Sequence, residues 1–445
     1  MMRNRIVVFV GVVALVALAS GGTAVGFVSP GSSIELVSVN TRAAQGNSDS
    51  QASAITPDRR YVAFASSADN LVPGDTNAAF DVFVRDRLRG ATERVSVGPL
   101  GVEGDGDSGL STFRAVDISA DGRYVAFVST ASNFAPVVDT NGNEDVFIHD
   151  RRTGTTELVS VGLDGTAQSG SEPSISTDGR FVSFTSFGDQ LVAGDTNFAS
   201  DIFVRDRLAG TTERVSVTSA GAEVSQGSFV SALSASGQFV AFNSFSGDFI
   251  SGDRNDAVDV FVHDRQTGAT EGISTRTACD PTIGDICGNS LLGSISRNGR
   301  FVGFESAMQN LVQGDNDFFS DAFVADRQTG RLRLVSQSSA GVKGNDDSFA
   351  PLVSADGRYV VFSSRAGNLV RKDSNQQQDV FRRDVLQNVT ERIAGDDTKF
   401  PFAVLANDVT PDGFKVALET RAALRPERNV GFFASDIYVL ELRGS

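Results

Sequence analysis

The chain has 445 residues, a formal net charge of -16 and a sequence pI of about 4.6. A field of that sign repels nucleic acid and anionic lipid headgroups, which argues against DNA, RNA or a charged membrane surface as partners. With 40% hydrophobic residues the chain can bury a core, and its 45 glycines, 33 phenylalanines and lack of tryptophan favour short strands separated by tight turns.

The N-terminus has the pattern of an export signal. Arg3 and Arg5 precede an apolar run over residues 6–19, and small residues follow. This pattern predicts a signal peptide over residues 1–28, cleaved near residues 19–24 or shortly after. The run is shorter than the ~20 residues of a membrane span, so we expect no stable span after cleavage, with an uncleaved anchor as the alternative. We therefore expect a secreted, periplasmic or cell-surface bacterial protein.

A repeat of about 60 residues fills the rest of the chain. Each copy has a tight turn, an apolar strand, a polar loop, a third strand, a second turn and a fourth strand. The first turns are anchored at Asp58, Asp121, Asp178, Ser236, Asn298, Asp356 and Asp412. Four strands per copy without helical periodicity predict an all-β fold, a single closed β-propeller of seven four-stranded blades over residues 29–445. Six or eight blades are the alternatives.

The two ends of the repeat array predict how the ring closes. The last copy stops after its third strand, at residues 436–442, while residues 34–39 form a fourth strand with no first three before it. The N-terminal strand can therefore complete the last blade and remove an exposed sheet edge.

Residues 119–127, 176–184 and 354–362 each carry a Ser-x-Asp-Gly turn followed by an apolar strand. These copies resemble the TolB-type, WD-like propeller repeats of exported bacterial proteins. The family's proline before the turn aspartate is retained only at Pro57 and Pro411. The resemblance implies a propeller fold and leaves the function open, because propellers carry many functions.

The loop lengths predict two different faces. The turns between first and second strands, and between third and fourth strands, are tight and share one face, which we call the tight-turn face. Second-to-third loops, and blade-to-blade segments such as residues 40–53 and 98–114, are long and share the other, the long-loop face. The long-loop face is the candidate for binding.

An acidic motif, D-x-[DN]-x-x-x-D, precedes the third strand in six of the seven copies. Its members are Asp75, Asn77, Asp81; Asp139, Asn141, Asp145, with Asn143 between them; Asp195, Asn197, Asp201; Asp253, Asn255, Asp259; Asp315, Asp317, Asp321; and Asp373, Asn375, Asp379. Such oxygens supply part of the shell of six to eight that calcium requires, so calcium is the candidate cofactor. The alternative is that these side chains cap backbone groups in irregular turns.

The only two cysteines are Cys279 and Cys287, which lie in one short segment. In an oxidising compartment we expect them to form a disulfide, with free thiols as the alternative.

Other repeated residues favour structural roles. An aspartate ends the third strand in six copies, at Asp86, Asp150, Asp206, Asp264, Asp326 and Asp384, and we expect it to cap a turn or form an ion pair. Paired phenylalanines such as Phe64 and Phe83 are expected to pack between sheets. His149 and His263 occupy positions that hold arginine in other copies and are expected to be exposed.

No catalytic constellation is recognised. The sequence has no serine-hydrolase elbow, phosphate-binding loop or dinucleotide fingerprint. We therefore expect a monomeric, non-catalytic scaffold that binds a protein or a glycan through the acidic long-loop face. The alternatives are a carbohydrate-active enzyme, glycosidase or lyase-like, that uses carboxylates of that face, and a purely structural surface protein.

Overall fold

The computed structural model describes residues 27–111, 114–135, 139–251, 253, 257–275, 288–309, 311–371, 373, 377–395, 403–421, 424 and 434–443. Seven antiparallel sheets are arranged as the blades of a propeller, so the predicted all-β, seven-bladed fold is confirmed. No helix in these ranges is long and apolar enough to cross a membrane.

The strands are ordered from the central channel outward in each blade. Blade 1 contains Ser50–Ile55, Tyr61–Ser66, Asp81–Asp86 and Ala91–Arg94; blade 2, Val116–Ile118, Tyr124–Ser129, Asp145–Asp150 and Thr155–Leu158; blade 3, Ser171–Ile175, Phe181–Ser186, Asp201–Asp206 and Thr211–Arg214; blade 4, Ser228–Leu233, Phe239–Ser244, Asp259–Asp264 and Ala269–Gly272. Blade 5 contains Ser290–Ile295, Phe301–Ser306, Asp321–Asp326 and Arg331–Leu334; blade 6, Ser348–Val353, Tyr359–Ser364, Asp379–Asp384 and Val389–Gly395; blade 7, Val404–Val409, Lys415–Thr420 and Asp436–Glu441. Within the described ranges, two 3-10 turns occupy Pro99–Gly101 and Gly247–Phe249.

The N-terminal segment closes the ring as predicted. Ser33–Leu36 pairs with Asp436–Glu441 and supplies the fourth strand of blade 7. The strand is shorter than the predicted 34–39, because the N–H groups of Val37 and Ser38 both point at the carbonyl of Ile437 and end the regular ladder. Just before it, Phe27–Val28 pairs with Val389–Gly395 as a fifth strand of blade 6. The segment therefore connects two neighbouring blades.

Phenylalanine pairs form the centre of six blades. Phe64 and Phe83 stack with ring centroids 5.8 Å apart, and both side chains are fully buried. The same stacked pair recurs at Phe127 and Phe147, Phe184 and Phe203, Phe242 and Phe261, Phe304 and Phe323, and Phe362 and Phe381. The predicted packing between sheets is confirmed, because Phe64 and Phe83 also cluster with Ala417 and Val439 of blade 7. The burial of large aromatic surface is a main source of stability.

The aspartate at the end of each third strand fixes the tight-turn face. Asp86 accepts hydrogen bonds from Nε and Nη2 of Arg60, and from the backbone N–H groups of Leu88 and Arg89. Arginine pairs in the same way with Asp150, Asp206, Asp326 and Asp384, while Asp264 accepts from Gln238. The predicted capping and ion-pairing role is confirmed.

At six of the seven junctions between blades, an aromatic ring of one blade packs against a turn glycine of the next, while blade 1 has Arg59 at the glycine position. The Asp-Gly turn of blade 2 places Gly122 against the Tyr61 ring of blade 1, and the guanidinium of Arg151 lies 4.4 Å from the centre of that ring. The aromatic residue that follows the turn arginine in the repeat is therefore a contact between blades.

Candidate functional site

The strand registers assign the loops to two faces as predicted. Tyr61 pairs with Asp86 at the end where the hairpin turns lie, and Ser66 pairs with Asp81 at the opposite end, where the long loop of residues 67–80 crosses. The described residues of the six acidic motifs therefore lie on the long-loop face.

In blade 1 the motif surrounds an arginine. Asp75 and Asp81 lie 3.3 and 3.1 Å from Nη1 of Arg94, and Glu103 completes the group at 2.6 Å. Asn77 donates its amide to Asp81 at 3.2 Å. Burial and the charge of Asp81 raise the pKa of Asp75 to about 6. The guanidinium occupies the place between the carboxylates that a metal ion would take, and we call this arrangement a cage.

Two other blades have an arginine in the same place. In blade 3, Arg214 lies between Asp195, Asp201 and Glu223, and Asn197 donates to Asp201. In blade 6, Arg392 lies 2.9 Å from Asp379 and 3.8 Å from Asp373.

Blade 5 supplies its cation from a different position. Leu334 stands where blade 1 has Arg94, and Lys343, in the blade-to-blade loop, stands where blade 1 has Glu103. The Lys343 ammonium lies 3.3, 2.5 and 2.6 Å from the carboxylates of Asp315, Asp317 and Asp321. A positive side chain is therefore present although the usual arginine is not.

Blade 2 differs from these four. Leu158 and Ala167 stand where blade 1 has Arg94 and Glu103, so neither position supplies a charge. Asn141 donates its amide to Asp145 at 3.0 Å, and the Ser160 hydroxyl donates to Asp145 at 3.1 Å. Asp145 is fully buried, and burial together with the charge of Asp139 raises its pKa to about 7. Asn143 is exposed, and its backbone N–H donates to Asn141.

The structure describes only part of the other predicted site residues. In blade 4, Asp259 accepts a hydrogen bond from Ser274 at 2.6 Å, and Gly272 stands at the Arg94 position. Asn255 and Asn375 lie outside the described residues, and so do Cys279 and Cys287 with their predicted disulfide.

The central channel contains half-buried carboxylates that accept hydrogen bonds from backbone N–H groups. A cavity of about 440 Å³ runs along the inner strands. Asp117 accepts the N–H of Ile175 and Asp408 accepts that of Ile55, each at 2.9 Å. Because each acceptor and donor belong to neighbouring blades, these carboxylates hold the ring together.

The expectation of exposed histidines is wrong. His149 and His263 are 4% and 5% exposed, and their Nδ1 atoms lie 2.9 and 2.8 Å from the hydroxyls of Thr156 and Thr270. Burial lowers the pKa of both imidazoles. The arginine of other blades reaches the same threonine, as Arg85 does to Thr92 at 3.0 Å, so histidine substitutes as a shorter partner for that hydroxyl.

Phenylalanines project from the same long-loop face. Phe198 and Phe318 occupy equivalent positions inside the acidic motifs of blades 3 and 5 and are 93% and 72% exposed. Phe187, in the same loop of blade 3 as Phe198, is 74% exposed. Phe198 has φ of 56°, a left-handed conformation that is unfavourable for a large side chain, yet the loop around it is fixed by the cage.

No protein-family model and no curated protein matches the chain. Among solved structures, it resembles a putative TolB from Agrobacterium tumefaciens, with 17% identity over 68% of this chain and 87% of that chain and a TM-score of 0.40. TolB from Acinetobacter baumannii shares 14% identity over 80% of this chain and 66% of that chain, with a TM-score of 0.40. An oligogalacturonate lyase from Vibrio parahaemolyticus shares 11% identity over 94% and 98%, with a TM-score of 0.54. These likenesses concern the fold alone, and the chain is a seven-bladed β-propeller.

Proposed function

We propose that the protein is an exported, non-catalytic binding scaffold whose long-loop face holds a protein or glycan ligand. The observation that carries the proposal is the set of exposed phenylalanines on loops that are anchored by buried ion pairs. Phe198 follows Asn197, whose amide donates to the buried Asp201 at 3.0 Å. A rigid loop that presents an aromatic side chain loses little entropy on binding, and aromatic residues dominate many interfaces.

Calcium at blade 2 is the second part of the proposal. The cages of blades 1, 3, 5 and 6 contain a positively charged side chain. In blade 2, no described residue places a positively charged side chain between the motif carboxylates. Asp139 and Asp145 offer two carboxylates, and Asn141 would offer its carbonyl oxygen after its side chain turns away from Asp145 and gives up the hydrogen bond from the Asn143 N–H. Calcium at that position would do for blade 2 what Arg94 does for blade 1, with water completing the shell.

The calcium proposal is tested by thermal unfolding of the chain from residue 27 with EDTA and then with excess calcium. We expect calcium to raise the Tm through binding to the folded state, and the rise to disappear in Asp139→Asn/Asp145→Asn. Leu158→Arg is the matched variant, because residue 158 has the register of Arg94; it should fold and lose the calcium response. An unchanged Tm at millimolar calcium, or a full response in Leu158→Arg, would contradict the proposal.

The binding face is tested by comparing matched surface variants. Phe198→Ser/Phe318→Ser removes two aromatic side chains from the long-loop face, and Leu88→Ser removes an exposed apolar side chain from the tight-turn face. We expect ligands retained by the parent chain on a glycan array or in a cross-linking screen of envelope proteins to be lost only from the phenylalanine variant. Equal retention by both variants would overturn the assignment of the face.

Export is tested separately by expressing the full chain in a bacterium. We expect the N-terminus of the mature protein, read by mass spectrometry, to lie near residues 19–24 or shortly after. A full-length chain confined to the cytoplasm would overturn this part of the proposal.

A further inference from the structure

The tight-turn face has a ring of ion pairs between neighbouring blades. Glu93, in the fourth strand of blade 1, pairs with Arg151, which follows the third strand of blade 2. The same pair is formed by Glu35 and Arg87, Glu157 and Arg207, Glu213 and Arg265, and Glu271 and Arg327. At the junction of blades 6 and 7 a glutamate is also present, and Glu391 pairs with Arg382 of its own blade.

The junction of blades 5 and 6 reverses this pattern. Arg333 faces Val324 in the register that Glu93 has with Val84, so it stands at the glutamate position. Val385 follows Asp384 as Arg87 follows Asp86, so the arginine of the pair is also replaced. Both changes remove the ion pair, and they leave a positive side chain where the other junctions have a negative one.

A pocket of about 230 Å³ opens at this junction. Arg331 and Arg333 lie on its wall, and within the described residues neither forms an ion pair with a carboxylate. The hydrogen bond that Arg333 does form there is a long one, 3.3 Å to the carbonyl of Val385, and a guanidinium has five N–H donors.

The carboxylates near the pocket are already engaged. Asp326 accepts two hydrogen bonds of 2.7 Å from Arg300. Asp356 accepts the Ser354 hydroxyl at 2.7 Å and the Arg358 N–H at 3.0 Å. The charges of Arg331 and Arg333 therefore remain available to a ligand.

We propose that this pocket binds an oxyanion, the carboxylate or phosphate group of a ligand, between Arg331 and Arg333. Residues two apart on a strand point to the same side, so the two guanidinium groups can engage one anion together. Val385 and the exposed Leu386 give the pocket an apolar edge that would contact the carbon skeleton of the ligand. The site lies on the face opposite the proposed ligand surface and is independent of it.

The test is calorimetric titration of the chain with inorganic phosphate and, separately, with malonate, at constant ionic strength. We expect saturable binding of at least one probe with a stoichiometry near one, and the stronger probe identifies the tetrahedral or the planar anion. The variant Arg333→Glu/Val385→Arg rebuilds the ion pair of the sister junctions, so it should fold and bind at least tenfold more weakly. Arg207→Gln, at the junction of blades 2 and 3, is the control that should bind like the parent chain.

Two results would overturn the proposal. One is the absence of saturable binding of either probe to the parent chain. The other is undiminished binding in Arg333→Glu/Val385→Arg or, if circular dichroism shows that variant to be unfolded, in Arg331→Gln/Arg333→Gln.

Discussion

Gly122 shows how one residue of the repeat is fixed by the neighbouring blade. Its φ is +71°, and a Cβ atom built on it would lie 2.2 Å from the Tyr61 ring. We expect Gly122→Ala to lower the free energy of unfolding by about 2–4 kcal/mol, from backbone strain and overpacking together. Gly154 is the control: its φ is +69° but no atom lies within 4 Å, so Gly154→Ala should cost about 1 kcal/mol. If urea denaturation gives equal losses of unfolding free energy for the two variants, contact with the Tyr61 ring does not contribute to the cost at Gly122.

Arg94 gives a second test at the residue scale. Arg94→Met leaves Asp75, Asp81 and Glu103 facing one another without a cation, and we expect a loss of about 3 kcal/mol at pH 7.5. The pKa of Asp75, already about 6, should rise further, so the folded state retains protons that the unfolded state has released. The loss should therefore be smaller at pH 5 than at pH 7.5.

Arg89 provides the comparison for that measurement. Its side chain is 76% exposed and lies 3.8 Å from Asp86, so Arg89→Met should change stability by less than about 0.5 kcal/mol. Urea denaturation at pH 5 and pH 7.5 measures the free energy of unfolding of both variants. A loss in Arg94→Met that does not depend on pH would refute the electrostatic explanation.

At the scale of elements, Ser33–Leu36 closes the ring and Phe27–Val28 only extends an outer edge. A chain that begins at residue 39 lacks the fourth strand of blade 7 and the buried Leu36 and Val37, and its last blade presents an open edge. We expect this chain to lose more than about 10 °C of Tm and to aggregate, because several kcal/mol of burial are removed. A chain that begins at residue 30 loses only Phe27–Val28 and should melt within a few degrees of the parent. Similar melting of both shortened chains would contradict the closure role.

At the scale of the whole molecule, buried and half-buried carboxylates govern the pH dependence of stability. Burial raises the pKa of Glu305 to about 7 and those of Asp408 and Asp436 to about 6, above the value of ~4 in an unfolded chain. Between the unfolded and folded pKa values, the unfolded state has released protons that the folded state keeps. The contribution of these three carboxyl groups to folding stability is therefore present below pH 4 and is lost as the pH rises through 6–7. Asp150 has the opposite effect, because its hydrogen bonds with Arg123 lower its pKa to about 2. Its contribution to folding stability is present above pH 4 and is lost as the pH falls toward 2.

We therefore expect the Tm to be highest near pH 4–5 and to fall toward pH 7.5 in a metal-free buffer. The two buried histidines oppose this trend, because protonating them below pH 6.5 destabilises the folded state. The chain has only two histidines, so we expect the carboxyl groups to dominate. Glu305→Gln keeps an oxygen that can accept the Ala350 N–H and removes the titration, so it should gain on the order of 2 kcal/mol at pH 8 and nothing at pH 4. A Tm that rises steadily from pH 4.5 to 7.5 would contradict this account.

The sequence by itself determined the number of blades, the order of the strands and the closure of the ring. The number of blades and the order of the strands follow from the period of the repeat and from local turn chemistry. Closure follows because the last copy lacks a fourth strand and the N-terminal segment supplies a fourth strand that has no blade of its own. The tight-turn role of the third-strand aspartates was predictable for the same reason, since the turn and its cap lie within a few residues of each other.

Only the tertiary structure decided what faces each acidic motif. Arg94 comes from the fourth strand and Glu103 from the following loop, so the chemistry of Asp75 depends on residues that no local pattern connects to it. The burial of His149 and the reversed charge at Arg333 are likewise set by contacts between strands and between blades. The side chains of a repeat can be read from its sequence, but the charge that compensates each one is fixed by packing across strands.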